Sequence, residues 1–307
     1  MHPMLTIGTR GSSLARAQTD WVLQEILARC PQAGITVKII RTSADQDTRT
    51  SIRSGSATGV FVKEIEEALI AGEIDLAVHS MKDLPTSIPE ALEIGAIPAR
   101  EDARDALITR TRCRSLDQLP PGAVIGTGSV RRQAQILALR PDLATRDIRG
   151  NVGTRLEKLD SGNYDAIILA CAGLNRLGLQ DHIDLRFETG QMIPAPGQGA
   201  LALEVRKGDR ATAGLIASLN QPAAATAVFA ERAFLRRIGG GCNSPVAVHA
   251  RVAGGLCTID GMVATPDGAR IIRKSAQCAP AASVETADAL AEILLSIGGA
   301  DILSSLS

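Results

Sequence analysis

The spacing of apolar positions predicts alternating strands and helices in the first half of the chain. Residues 5–8 and 35–40 are short apolar runs typical of strands, whereas residues 14–30 carry apolar side chains at helical spacing. A second helix over 62–71 and a strand over 75–79 follow. Such alternation is typical of an α/β fold.

One long polar segment interrupts this pattern. Residues 42–60 are mostly small and polar and include two glycines. A segment of this composition buries too little apolar surface to fix its own conformation. We therefore expect a mobile loop or lid over 42–60.

Two pairs of segments suggest that the first α/β half is repeated. Ile7–Ser12 is similar to Ile125–Ser129, and each precedes a helix that contains Ala-Gln. Gly72–Asp75 is similar to Gly162–Asp165, and each leads into an apolar strand. Short βα motifs also converge by chance, but two matched pairs in the same order favour duplication. Open α/β sheets bind ligands at the carboxyl ends of their strands, so we expect the functional residues there.

The pattern changes after a further predicted strand over 198–205. Asn220–Pro222 resembles a domain boundary. Beyond it we predict a small α+β domain with helices over 223–238 and 283–296 and strands over 246–252, 256–263 and 269–275.

Composition narrows the classes of partner. Lys+Arg and Asp+Glu both number 33, so no overall positive charge attracts nucleic acid or a membrane surface. Aromatic residues make up 2% of the chain, which disfavours stacking on nucleic-acid bases. No apolar run approaches the roughly 20 residues of a membrane span, and the first residues lack a secretory pattern. We expect a cytoplasmic protein without nucleic-acid or membrane partners.

The six cysteines are far apart and show no metal-ligand spacing. We therefore expect free thiols and no metal site.

Three loops combine glycine with arginine at predicted strand-to-helix junctions. They are Thr9–Ser12, Gly126–Arg132 and Arg149–Arg155. Backbone N–H groups at helix N-termini bind anions, and the arginine fork binds carboxylates with two hydrogen bonds. None of the loops has the lysine of a nucleotide-binding GxxxxGK[ST] loop. A single arginine would be interpreted as a surface residue, but the set favours binding of a carboxylate-rich small molecule.

Two further residues are candidates for chemistry. Asp83 follows Lys82 at the end of a predicted buried strand, where it is equally consistent with an acid–base group and with a turn residue. Cys242 follows three glycines and is consistent with covalent attachment or with a buried turn cysteine. His79 lies within the strand and is interpreted as structural.

Ten segments resemble the porphobilinogen deaminase (hydroxymethylbilane synthase) family, in order and over nearly the whole chain. HSMKD at 79–83 and RGNVGTR at 149–155 are the most specific. The others are Ile7–Arg10, Phe61–Glu64, Arg100–Asp102, Arg131–Arg132, Gly173–Gly178, Pro196–Gly199, Glu231–Arg232 and Gly240–Cys242.

The resemblance implies an α/β fold of three domains. Residues 1–98 with 199–217, and residues 103–193, would form two lobes like those of periplasmic binding proteins. Residues 221–307 would form the small α+β domain that carries the cofactor cysteine.

The resemblance also implies a reaction and a cofactor. Four porphobilinogen molecules would join head to tail with loss of ammonia on a dipyrromethane primer, bound to Cys242 by a thioether, and water would release hydroxymethylbilane. Asp83 would be the catalytic carboxylate, and the chain would be monomeric. Each ring carries an acetate and a propionate, which calls for successive polar and cationic contacts. The residues so implied are Arg10, Ser12, Lys82, Thr127, Ser129, Arg131, Arg132, Arg149, Arg155, Arg176 and Gln198.

Three positions depart from the family pattern. Gly128 stands where the family usually has serine, Thr58 where lysine is frequent, and Ser244 where a more apolar residue is usual. Since Cys242, Asp83 and the arginines are present, we expect activity.

Two other functions remain as alternatives. A non-catalytic two-lobed binding protein would carry no covalent adduct and would normally need an export signal. A regulatory effector domain would need a DNA-binding helix-turn-helix, for which the sequence gives no pattern.

Overall fold

The computed structural model describes residues 4–41, 62–239 and 244–306. The predicted lid over 42–60, with Thr58, and Cys242 lie outside these residues. The strands are β1 (Met4–Arg10), β2 (Gly34–Ile40), β3 (Leu76–Ser80), β4 (Leu92–Ala96), β5 (Asp105–Thr109), β6 (Val124–Gly126), β7 (Ala144–Arg146), β8 (Ala166–Ala170), β9 (Leu185–Arg186), β10 (Leu201–Arg206), β11 (Val246–Ala253), β12 (Leu256–Ala264) and β13 (Ile271–Cys278). The α-helices are α1 (Ser13–Arg29), α2 (Lys63–Ile70), α3 (Val130–Leu139), α4 (Val152–Asp160), α5 (Cys171–Arg176), α6 (Arg210–Ile216), α7 (Pro222–Ile238), α8 (Ser283–Leu294) and α9 (Ala300–Ser304).

The chain divides into two compact units. The first comprises Met1–Glu101 with Ala200–Ala225, and the second Asp102–Gly199 with Thr226–Ser307. The finer three-domain boundaries given above stay a prediction. Within the described ranges, no helix has the length and apolar composition to cross a membrane.

The first unit contains a five-stranded sheet in the order β2-β1-β3-β10-β4. Strand β1 is parallel to β2 and β3, and β10 is antiparallel to both of its neighbours. Leu76 and Val78 of β3 pack in one core with α1, while Ala77 packs in another with α2. Because both faces of β3 are covered, Leu76, Ala77 and Val78 are apolar in succession instead of alternating with polar residues.

The second unit contains two sheets. One has the order β7-β6-β8-β5-β9, with β6 parallel to β7 and β8, and with β5 antiparallel to β8 and β9. The other is the antiparallel sheet β11-β12-β13, which packs with α7 and α8. The predicted fold class of two α/β sheets with a small α+β part is confirmed.

Two aspartates show that the two five-stranded sheets share one local design. The Thr6 N–H donates to the Asp75 carboxylate (2.9 Å), and the Asp75 N–H donates to the Thr6 carbonyl (2.8 Å). The Val124 N–H donates to the Asp165 carboxylate (2.8 Å), and the Asp165 N–H donates to the Val124 carbonyl (3.0 Å). In both cases a glycine of positive φ ends the helix three residues before the aspartate. The repeat predicted from these segments is confirmed.

The antiparallel sheet packs against α3. The turn between β12 and β13 contains Gly268, whose φ is 71°, and a Cβ at this position would lie 2.7 Å from the Ala138 nitrogen of α3. Arg273 of β13 donates to the Gly190 carbonyl (2.9 Å) and to the Gln135 side chain of α3 (3.3 Å). The middle and last turn of α3 are thereby held against this sheet within the second unit.

One predicted strand is shorter than expected. Strand β10 begins at Leu201 and not at Gln198, because Gly197 (φ 70°) and Gly199 (φ 85°) form a turn that L side chains rarely adopt. Gln198 therefore lies in a buried turn.

Candidate functional site

In the first unit, a cavity forms at the carboxyl ends of the parallel strands β1 and β3. Arg10 is the last residue of β1, Ser12 lies in the loop after it, and a single 3-10 turn after β3 comprises Met81–Asp83. Side chains from both segments meet in the cavity, which we call the Asp83 cavity. Its lining includes Arg10, Ser12, Gln18, Val62, His79, Ser80 and Asp83.

The turn that carries Asp83 is anchored from below. Met81 is buried, and its N–H donates to the Ala200 carbonyl (3.0 Å). Lys82 and Asp83, the next two residues, are exposed. The chain thus fixes the turn in the core while Lys82 and Asp83 are exposed to solvent.

Ser12 and His79 have structural contacts within the cavity wall. The Ser12 hydroxyl accepts a hydrogen bond from the Ala15 N–H (3.3 Å) and caps α1. His79 is buried, with Nε2 3.0 Å from the Glu204 carboxylate, in agreement with its predicted structural role. Burial raises the pKa of Glu66 on α2, and the negative charge of Glu204 acts in the same direction.

In the second unit, two arginines at the start of α3 converge on one buried carboxylate. Arg131 Nη1 lies 2.7 Å from Asp105 Oδ2, and Arg132 Nη2 lies 2.7 Å from Asp105 Oδ1. Arg131 also donates to the Ile193 carbonyl (2.7 Å), and Arg132 to the Ile168 carbonyl (3.0 Å). Burial alone would raise the pKa of Asp105, but the two guanidinium charges and their hydrogen bonds outweigh it and hold the pKa well below its usual range.

Two more arginines lie near the start of α4. Arg149 lies in the loop before the helix, and Arg155 lies in its first turn. Arg149 Nε donates to Asp147 (2.8 Å), and Arg155 Nε donates to the Gly150 carbonyl (2.8 Å). Burial lowers the pKa of Arg155 to about 10, and the charges of Arg132 and Arg149 act in the same direction while Asp147 opposes them. Arg155 therefore lies where positive charge is in excess.

We call Arg131, Arg132, Arg149 and Arg155, with the carboxylates of Asp105 and Asp147, the arginine cluster. Four guanidinium groups against two carboxylates leave a formal excess of two positive charges. An anion bound here would lower the electrostatic free energy of the cluster.

The remaining predicted binding residues of the second unit form hydrogen bonds with residues of this cluster or with the loops next to it. Ser129 caps α3 by accepting from the Arg132 N–H (3.4 Å), and its N–H donates to the Thr127 hydroxyl (3.2 Å). Gln198 donates to Asp105 (2.9 Å). Arg176, the last residue of α5, donates to the Gly199 carbonyl (2.7 Å).

The structure thus groups the predicted residues within each unit. Arg10, Ser12 and Asp83 line one cavity, with Lys82 in the same turn, and the other predicted binding residues belong to the second unit.

Sequence reasoning missed Asp105 and Asp147. Asp105 begins the strand DALIT, which is buried at every position. A carboxylate in such a strand needs a cationic partner, and this signal was present in the sequence.

Solved structures of binding proteins show limited similarity to the chain. A TRAP periplasmic solute binding protein from Desulfovibrio salexigens is 11% identical with a TM-score of 0.43, over 72% of this chain and 73% of that one. The methionine binding protein MetQ is 10% identical with a TM-score of 0.44, over 70% and 89%.

Sequence relatives are far more similar. Residues 5–214 match the family model "Porphobilinogen deaminase, dipyromethane cofactor binding domain", and residues 225–296 match "Porphobilinogen deaminase, C-terminal domain". A porphobilinogen deaminase from Thermus thermophilus is 47% identical over 99% of both chains. One from Syntrophotalea carbinolica is 48% identical over 98% of this chain and 96% of its own. These matches include every candidate residue named above.

Proposed function

The chain belongs to the porphobilinogen deaminase family, and from that premise we propose how its residues divide the work of the reaction. Its activity is that of a porphobilinogen deaminase in tetrapyrrole biosynthesis, with a domain that binds dipyrromethane. The observation that carries this conclusion is the 47% identity to such an enzyme over 99% of both chains. The family reaction joins four porphobilinogen molecules head to tail, with loss of ammonia.

We assign the charge-stabilising role to Asp83. The loss of ammonia leaves positive charge on the substrate, and a nearby carboxylate lowers the free energy of that state. Asp83 is exposed in a cavity and is carried by a turn that is anchored through Met81, so its backbone is preorganised. The carboxylate can also accept hydrogen bonds from pyrrole N–H groups. Arg10, Lys82 and Ser12 in the same region would bind substrate carboxylates and orient the ring.

We assign carboxylate binding also to the arginine cluster. Its formal excess of two positive charges equals in magnitude the two negative charges of a ring that bears an acetate and a propionate. Arg149 is exposed and Arg155 is partly exposed, so both can reach a ligand directly. Arg131 and Arg132 are buried and act chiefly through their charge and by fixing the start of α3.

The chemistry of these donors fits dipyrromethane. Two linked rings carry four carboxylates, which match guanidinium and hydroxyl donors and not an apolar pocket. We propose that Arg131, Arg132, Arg149, Arg155, Ser129, Thr127, Gln198 and Arg176 hold the cofactor and growing chain in the second unit. When bound, dipyrromethane supplies the terminal pyrrole carbon to which the first substrate is joined. We propose Cys242 as its thioether attachment point.

Intact mass under denaturing conditions tests the attachment. We expect the purified active protein to exceed its sequence mass by two pyrrole units, and we expect peptide mapping to place that excess on Cys242. A Cys242→Ser variant should lack the added mass. The control variant Cys113→Ser, which alters a buried thiol, should retain it. Fully active protein of unmodified mass would contradict the proposed attachment.

We also propose that the enzyme works as a cytoplasmic monomer. The alternative of a non-catalytic binding protein predicts no adduct and no turnover, so the same mass measurement separates it from an enzyme.

A further inference from the structure

Asp147 places a carboxylate of the protein itself within the arginine cluster. Its Oδ2 accepts a hydrogen bond from Arg149 Nε at 2.8 Å. Its negative charge also acts on Arg155, where it opposes the effects of Arg132 and Arg149. The carboxylate of Asp147 thus interacts with the two cluster arginines that are accessible to a ligand.

Gly128 provides the space that this carboxylate uses. Gly128 lies in the loop between β6 and α3, and a Cβ built on it would lie 3.0 Å from Asp147 Oδ1 and 3.2 Å from the Ile148 carbonyl oxygen. Both distances are shorter than ordinary contacts with a methyl group. Any side chain at position 128 would therefore press on the Asp147 carboxylate. This is also the position where the chain departs from the serine usual in the family.

We propose that Asp147 is an internal counter-ion that competes with substrate carboxylates for Arg149, and that Gly128 leaves room for it to do so. This proposal rests on the function proposed above for the arginine cluster. It assigns to Asp147 a role in setting affinity and none in bond making.

Asp147 and a ligand carboxylate compete because both are negatively charged and both can contact Arg149. Arg149 can direct its fork at Asp147 or at a ligand, and the two carboxylates repel one another. Both Asp147 and Arg149 side chains are 45% exposed, so water screens their attraction and the pair can open. Asp147 also offsets one of the positive charges of the cluster and thereby weakens its attraction for substrate carboxylates. An affinity limited in this way favours movement of a growing chain past the cluster.

The test compares holoenzyme variants at Asp147 and Gly128. Asp147→Asn keeps the shape and removes the charge, and we expect KM for porphobilinogen to fall about two- to fivefold, the range of an exposed ion pair. We expect kcat to stay equal or to fall. Denatured intact mass at limiting substrate should show more enzyme with bound substrate units. The upward shift in Tm caused by porphobilinogen should also grow.

Two further variants separate this role from general effects. Gly128→Ala adds only a methyl group, and we expect it to lower KM by displacing Asp147. In the Asp147→Asn background the same change should have little further effect, since the two residues act as one unit. Asp142→Asn is the matched control, because Asp142 also pairs with an arginine two residues away, Arg140 (2.6 Å), outside the cluster. We expect its KM to equal that of the wild type.

Three results would overturn the proposal. An unchanged or higher KM in Asp147→Asn would mean that Asp147 has no effect on Arg149 or positions it productively. An equal fall in KM in Asp142→Asn would trace the effect to net charge. Additive effects of the two substitutions would separate Gly128 from Asp147. A wild-type protein without pyrrole adduct or turnover would instead refute the proposed function.

Discussion

The ends of β3 and β8 occupy equivalent places in two sheets with the same strand arrangement, yet they carry different side chains. After β3, a 3-10 turn presents Lys82 and Asp83 to solvent. After β8, α5 begins directly with the buried residues Cys171 and Ala172. The helices that follow β1 and β6 differ in the opposite sense. The first residue of α3, Val130, is followed by Arg131 and Arg132, whereas α1 begins with Ser13 and Leu14.

A repeated frame can thus carry two different sets of functional side chains. The sheet and its helix junctions fix where loops emerge, and these positions are shared by both copies. The side chains on the loops set the chemistry. One copy supplies an exposed carboxylate, and the other supplies an excess of guanidinium groups.

Asp83→Asn tests the first half of this comparison and should have the largest effect. We expect turnover to fall about a hundred- to thousandfold, the usual loss when one preorganised electrostatic contact to developing charge is removed. Circular dichroism and denatured mass should show an unchanged fold and an intact cofactor. Asp20→Asn on the exposed face of α1 should keep wild-type turnover. Near-normal turnover in Asp83→Asn would remove the catalytic role from this residue.

Asp105→Asn tests the second half. Because both guanidinium groups lose their buried counter-ion, we expect the free energy of unfolding to fall by about 3–5 kcal/mol in urea titrations. The pKa of Asp105 is lowered in the folded protein, so its stabilisation is complete above the ordinary carboxyl pKa of about 3.9 and is lost as pH falls below it. The variant should therefore lose less stability than the wild type on acidification.

A neighbouring aspartate calibrates this loss. The side chain of Asp184 is also buried, and it accepts from the Thr109 N–H (2.7 Å) and hydroxyl (3.0 Å) of the same strand β5, while its one ion pair in the described structure is with the exposed Arg112 (3.2 Å). We expect Asp184→Asn to cost about 1–3 kcal/mol. If Asp105→Asn cost no more than this, the arginine pair would not depend on the buried charge.

The repeat itself is tested by its two aspartates, with the smallest expected effects. Asp165→Asn should cost about 1 kcal/mol, since it weakens one hydrogen bond to the backbone. Asp75→Asn should cost up to about 1 kcal/mol more, because Asp75 also pairs with Arg206 (2.8 Å). Urea titrations of both variants in the Arg206→Met background should bring the two losses together. A persistent difference would show that the backbone hydrogen bonds of Asp75 and Asp165 do not contribute equally to stability.

Local patterns were sufficient to predict much of the fold. Two α/β halves were predicted from the spacing of apolar residues in β1, α1 and β3 and from the paired Gly-x-x-Asp segments. The strands of the C-terminal sheet were predicted to within a few residues. The strand over 198–205 was extended too far because Gln198 and Gly199 were included in it, whereas they belong to a turn in which Gly197 and Gly199 have positive φ.

The site was only partly predictable, because its supports are distant in sequence. The arginines stand in recognisable loops, but Asp105 lies 26 and 27 residues before the two that it binds. Gly128 was identified as a departure from the family, yet its relation to Asp147 depends on the approach of two separate loops. Contacts of this kind arise from tertiary packing, which periodicity does not encode.

The turn at Gly268 has a practical consequence for the interpretation of variants. It lies between two strands of the C-terminal sheet, far in sequence from the arginine cluster, and inspection of the sequence alone would class it as a tolerant surface turn. Its missing Cβ is what allows the turn to lie against Ala138 on α3, the helix that carries Arg131 and Arg132. A Gly268 substitution is therefore expected to displace this helix and, with it, Arg131 and Arg132. Substrate binding can thus be impaired from a position that lies outside the arginine cluster.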